Sequence, residues 1–148
     1  NTPVQVKSGM SMWTSSKHVH KSSLEFCKNL LKSIGKEIYT SNENHLDIAT
    51  AISGSGPAYV FLMIESLSEA GIQLGLKKEI SLELAIQTVF GSGKLALSSK
   101  TSPQELRKNV TPVEKIAKTN NLEVTNGNVL FQENHIKKLR NFFLKSFL

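Results

Sequence analysis

Ser53-Gly54-Ser55-Gly56-Pro57-Ala58-Tyr59, preceded by Thr50-Ala51-Ile52, is the stretch on which the reading of this 148-residue chain turns. Four small residues and a proline separate two apolar segments. His45 to Ile52 has helical character, and Ala58 to Leu76 reads as a long helix, apolar around most of its circumference. Pro57 suits the first turn of that helix, where its missing N–H would have had no partner in any case. Gly54 and Gly56 permit backbone angles and close approaches that a Cβ would block. Two readings stand side by side. The stretch is a hinge between packed helices, or it is a ligand site, because a helix start with free N–H groups suits an anion such as a carboxylate.

Outward from this stretch, the totals narrow the possibilities. A chain of this length can hold one domain with a real core. A hydrophobic content of 39% and a charged content of 20% are those of a globular protein in water. No apolar run approaches the roughly 20 residues of a membrane helix, so no membrane partner is expected. Asn1 to Val6 lack the charged start and apolar core of a signal peptide. With no initiator Met and a pattern that begins midway, the chain reads as a fragment. Cys27 is the single cysteine, which suits a reducing compartment. The net charge of +6 divides into +3 over residues 1–44, zero over 45–111 and +3 over 112–148. Scattered lysines of this kind do not make a concentrated basic face, and no nucleic-acid partner is expected.

Upstream, Asn1-Thr2-Pro3 is a turn signal, followed by the partly alternating Val4, Val6, Met10, Met12 and Trp13 of a strand context. Residues 22–34 make an amphipathic helix, with Leu24, Cys27, Leu31 and Ile34 on one face, Ser22 or Ser23 as cap and Gly35 as stop. Lys36 to Thr40 favours a short edge strand. Strand, helix, strand is the tail of an α/β domain. Downstream the pattern is helical. Helices are expected at 45–52, at 57–75 with Gly75 as C-cap, at 79–98, and from Pro103 to about Val110 with Ser102 as N-cap. Gly91 and Gly93 inside a helix make sense where another helix approaches closely. Beyond Thr111 come an Asn-rich stretch at 119–134 and a basic amphipathic helix at 135–147.

Catalytic and metal signatures are sparse. His18-Val19-His20 could offer two imidazoles, but no Cys or carboxylate cluster stands at zinc-site spacing, so no metal is expected. Neither a nucleophile elbow nor a dinucleotide or phosphate-binding glycine loop occurs.

The order of the motifs is more telling. Asn1-Thr2-Pro3, Gly9-Met10, Leu46 through Phe61, Glu65 through Gly71, Gly75-Leu76, Gln87 through Gly91, Ser102-Pro103 and Asn109-Val110-Thr111 follow one another as they do in a known family. From residue 1 to about 111 the chain resembles the C-terminal half of a pyrroline-5-carboxylate reductase. The resemblance implies a mainly α fold. An all-α dimerisation domain, similar to the C-terminal domain of 6-phosphogluconate dehydrogenase, would follow the last strand-helix-strand of a Rossmann α/β domain. The expected boundaries are 1–44 for the Rossmann remnant and 45–148 for the helical domain. The implied activity is NAD(P)H-dependent reduction of 1-pyrroline-5-carboxylate to L-proline, in a homodimer or larger homo-oligomer, in the cytoplasm or alternatively the mitochondrion.

The resemblance also assigns residues. Thr50 would face the imine as the catalytic hydrogen-bonding group, and Ser53, Gly54 and Ser55 would line the substrate pocket. Asn1, Thr2, Pro3 and Asn109 would lie against the cofactor, NADPH or NADH. The family continues after its Asn-Val-Thr with Ser-Pro-Gly-Gly, a loop that grips the substrate carboxylate, whereas this chain reads Thr111-Pro112-Val113-Glu114-Lys115. A reading-frame change or a misplaced gene end near Thr111 would produce such a tail, and genuine divergence is the alternative. The chain alone is therefore expected to be inactive. Two competing readings are a non-enzymatic helical self-association module and a related dehydrogenase acting on another small acid.

Overall fold

The structure is a computed structural model that describes residues 1–110. It is mainly helical, with two short strands. The described residues fall into two compact units, Asn1–Phe61 and Leu62–Val110. The expectations for the Asn-rich stretch and the basic helix lie outside the described residues.

The first unit opens with a 3-10 helix, Thr2–Val6, where the sequence pattern suggested strand. Pro3 near its start supplies a helix-compatible φ, and Lys7 ends it in the left-handed region at φ 55°. Strand β1 then runs Gly9–Trp13, helix α1 Lys21–Ser33 and strand β2 Gly35–Tyr39. β1 and β2 pair in parallel, in the register Gly9↔Gly35 to Trp13↔Tyr39. The alternation of Val4 and Val6 thus belongs to the turn, while Met10 and Met12 keep the strand pattern. Ser22 and Ser23 do not cap α1. His20 occupies that position, and its carbonyl accepts the amides of Ser23 and Leu24 at 3.0 and 3.1 Å. At the far end of the pair, Trp13 meets Tyr39 edge-on with ring centroids 5.0 Å apart, and its Nε1 donates to Glu37 at 2.7 Å.

No loop separates the two apolar segments. Helix α2, Asn44–Ala49, passes directly into a π-helical turn, Thr50–Gly54, and helix α3, Gly56–Gln73, follows after one residue. Ser55 between them keeps helical angles, φ −85° and ψ −20°. Gly54 and Gly56 do not use the positive φ open to glycine, which among the described glycines occurs at Gly35 and Gly75. The whole run Asn44–Gln73 is long and apolar enough to cross a membrane by length and composition. This differs from the expectation of no such run, because Thr50, Ser53 and Ser55 interrupt the apolar residues in sequence without interrupting the helix.

In the second unit α3 stops at Gly75, as expected. Its φ of 99° lets the Leu76 amide reach the Gly71 carbonyl and the Gly75 amide reach that of Ile72, at 3.0 and 2.9 Å. Helix α4, Lys78–Ser98, folds back, and α5 spans Pro103–Val110 with the Ser102 hydroxyl accepting from the Glu105 amide at 3.2 Å. Small residues make the α3–α4 contact. Ser68, Ala70, Ser81 and Ala85 are buried, and the Ser81 hydroxyl donates to the Ser68 carbonyl at 2.6 Å. A Cβ on Gly71 would overlap the Ser81 hydroxyl. Gly71→Ala is therefore expected to displace Ser81 and lower stability by about 1–3 kcal/mol, as overpacking does elsewhere. Urea unfolding monitored by circular dichroism checks it, and a midpoint equal to that of the native chain would refute it.

Candidate functional site

The π turn Thr50–Gly54 is the natural place to build a site, because such turns are local insertions in a helix and occur often at functional positions. Its i−5 bond is explicit: the Ser55 amide reaches the Thr50 carbonyl at 2.8 Å. The turn packs on β1, as does α2. Sequence chemistry explains why the turn is tolerated here. Thr50 and Ser53 both fold their hydroxyls onto the backbone one turn back, Thr50 Oγ1 donating to the Leu46 carbonyl at 2.8 Å and Ser53 Oγ to that of Ala49 at 2.9 Å. Such back-bonding loosens and bends a helix.

This geometry decides what each hydroxyl can do. A hydroxyl has one proton to give and two lone pairs. Thr50 and Ser53 have given theirs to the helix, so each keeps only lone pairs to offer elsewhere. Thr50 is exposed and Ser53 half-buried. Gly54 stands close behind Thr50: a Cβ there would lie 3.3 Å from the threonine methyl. Ser55 is exposed just before α3, and a Cβ on Gly56 would meet none of the described residues within 4 Å.

The other predicted residues are placed as follows. Asn1, Thr2 and Pro3 lie at the 3-10 helix of the first unit. Asn1 is brought to the π turn, its Nδ2 donating to the Ser53 carbonyl at 2.7 Å while its Oδ1 accepts the Met10 amide at 3.3 Å. Thr2 is exposed and Pro3 half-buried. Asn109 sits on the exposed last turn of α5, in the second unit. The Asn1–Ser53 contact, which joins residues 52 apart, went unseen in the sequence. One signal for it exists: Pro57 stands four residues after Ser53, so the Ser53 carbonyl needs a donor from elsewhere.

A concavity of about 570 Å³ lies beside α1, away from the π turn, and is lined by Trp13, Lys21, Leu24, Lys28, Glu37 and Tyr39 among others. His18 and His20 are both exposed, and His45 meets the buried Thr40 hydroxyl at 3.1 Å. Among the described residues no three His, Cys, Asp or Glu side chains come together as a metal site would require.

Comparison with known proteins identifies the family. Residues 43–114, which contain the whole π turn, match the family described as pyrroline-5-carboxylate reductase dimerisation. The pyrroline-5-carboxylate reductase of Pseudomonas aeruginosa is 39% identical over 111 residues, which is 75% of this chain and 41% of that protein. The chain belongs to the pyrroline-5-carboxylate reductase family. Human pyrroline-5-carboxylate reductase 2 is 32% identical over 112 residues. The solved pyrroline-5-carboxylate reductase of Coxiella burnetii aligns with a TM-score of 0.77 at 33% identity, covering 98% of this chain and 50% of that one. The Plasmodium falciparum pyrroline carboxylate reductase, solved with NADP bound, aligns at 0.71 and 34% identity, covering 88% and 55%. Measured against its reductase relatives, the chain spans about two fifths of the Pseudomonas protein. Family membership accounts for the helical class of the fold, and the family match includes the segment where the apolar helices lie.

Proposed function

We propose that this chain carries the dimer-forming helices and the substrate-facing turn of a reductase that converts 1-pyrroline-5-carboxylate to L-proline. Residues 1–44 would be the end of its Rossmann domain and the helices from residue 45 its dimerisation domain. The observation that carries the reading is the state of the Thr50 hydroxyl, which donates to Leu46 and keeps its lone pairs for a ligand.

The proposed substrate is a five-membered cyclic imine with a carboxylate. Reduction adds a hydride to the carbon of the C=N bond and leaves a proton on the nitrogen. A protonated imine accepts hydride more readily, because the arriving electrons neutralise a positive nitrogen. Thr50, an acceptor toward the ligand, would take a hydrogen bond from that N–H and so favour the protonated form. Ser53, with its proton committed to Ala49, would also act as an acceptor. The carboxylate then falls to Ser55, exposed just ahead of α3, whose hydroxyl can donate to an anion. Orientation supplies much of the rate in such a transfer.

A nicotinamide dinucleotide would supply the hydride. The residues present do not fit a complete site for it. The sequence has no phosphate-gripping glycine loop. Asn1, with one amide proton and one lone pair beyond its two bonds, stays with Thr2, Pro3 and Asn109 as a proposed flanking contact. The chain alone is accordingly expected to give no NADPH oxidation with the imine, and turnover above background would overturn that expectation.

Self-association belongs to the same reading. Phe61 on α3 is 59% exposed, and Phe90 and Leu97 on α4 are 60% and 75% exposed. None of the described residues lies within 4 Å of a Cβ built on Gly91 or Gly93, and on this reading a helix of a second copy packs there. These surfaces would serve equally a module that only dimerises. L-proline binding separates the two. Titration of the native chain should shift the amide resonances of Thr50 and Ser55, and Thr50→Val should weaken binding about five- to tenfold, the worth of one hydrogen bond. Absence of any proline-dependent shift favours the self-association module.

A further inference from the structure

Pro57 leaves the backbone with a vacancy. In a regular helix the carbonyl of Ser53 would accept the amide of the residue four places on. That residue is proline, which has no N–H. The carbonyl of the half-buried Ser53 therefore needs a donor other than the backbone amide at position 57. The Asn1 carboxamide fills the place. Its Nδ2 reaches the Ser53 carbonyl at 2.7 Å, and its Oδ1 is held by the Met10 amide at 3.3 Å. One side chain thereby ties the first residues of β1 to the π turn. Each polar end of the carboxamide is engaged once, which fixes its orientation while one amide proton and one lone pair remain.

We infer that Asn1 is a positioning residue: its carboxamide supplies the donor that Pro57 withholds and so fixes the turn carrying Thr50 and Ser53 against the start of β1. The relevance to imine reduction rests on the reductase reading above, while the strut itself does not. The turn needs such a strut because its backbone bonding is irregular on both sides, Ser55 reaching back five residues and Ala58 only three. An unsecured turn of this kind would let the Thr50 hydroxyl wander, and misplacement by an ångström is damaging where reacting atoms must be aligned.

A mutant cycle tests the strut without any substrate. Asn1→Asp keeps an oxygen for the Met10 amide and loses the donor to Ser53. It is expected to lower the hydrogen-exchange protection of the Ser55 and Ala58 amides roughly fivefold, the size of one net hydrogen bond, and to shift the Ser53 carbonyl carbon resonance upfield. Pro57→Ala restores an amide proton at position 57. In that background Asn1→Asp should change protection by about twofold or less. Asn1→Ala repeats the cycle without introducing a charge. Equal losses with Pro57 and with alanine overturn the strut. Its role in positioning is read by L-proline titration: Asn1→Asp should weaken binding about threefold, with recovery on adding Pro57→Ala. A broken strut with unchanged proline affinity overturns the positioning role and leaves the reductase reading intact. A native chain that binds no proline counts against the reductase reading, and the exchange cycle still decides the strut.

Discussion

Alanine at position 35 will uncouple β1 from β2. Gly35 has φ 153°, and a Cβ built on it falls on the backbone nitrogen, carbon and oxygen of Gly9, its partner in the parallel pair. A colliding side chain can swing away, but a strand backbone can yield only by giving up its ladder. The unfavourable φ costs about 1–2 kcal/mol, and the overlap adds about 1–3 kcal/mol more. Gly9 has no slack to offer, since a Cβ there would press on Val4, on the Ile34 carbonyl and on the Asn1 carboxamide. The expected loss of about 2–5 kcal/mol is a large share of the stability of a small domain. Urea denaturation followed by the fluorescence of Trp13, which sits at the end of this pair, reads the effect. A variant with native midpoint and native Trp13 emission would show that β1 and β2 can separate at Gly9 without cost.

A glutamate at position 90 will dissociate the chain into monomers. Phe90 lies on α4 with 60% of its surface exposed, on the helix face that also carries the exposed Ile86 and Leu97. An apolar face of this extent on a family dimerisation segment is expected to be covered by a second copy. Burying a phenylalanine there contributes about 1.5–3 kcal/mol, and a carboxylate left at the interface adds a desolvation penalty. Dimer dissociation should rise by roughly a hundredfold or more. Light scattering after size-exclusion chromatography should give a dimer for the native chain and a monomer for Phe90→Glu. Phe26→Glu is the control. Phe26 is 69% exposed but lies on α1, outside the dimerisation match, and its replacement should leave the dimer intact.

Helix phase and cap chemistry made several elements readable in advance. The spacing of Leu24, Leu31 and Ile34 marked α1, Ser102-Pro103 marked the start of α5, and Gly75 marked the end of α3. Each of these signals acts within one or two turns of chain, where sequence neighbours are also spatial neighbours. Two features failed for the opposite reason. Val4 and Val6 alternate as in a strand, yet Pro3 and the packing of Val4 over Gly9 make a 3-10 turn. Ser53 to Pro57 carries turn composition, yet β1 packs against this segment and Asn1 supplies a donor, and the helix continues through it. Thr50 was legible as a residue to watch. Its role as an acceptor was not, because that depends on where its proton points.

The π turn from Thr50 to Gly54 has a consequence in residue counting. It acts as an insertion the helix has absorbed, and each residue of an α-helix turns the chain by about 100°. The faces of α2 and α3 are therefore out of phase with what a straight α-helix of the same sequence would present. Removing one residue between Thr50 and Gly54 would regularise the hydrogen bonding and turn the α3 side chains that follow by about 100° about the helix axis. In this part of the molecule the number of residues, as much as their identity, is under constraint.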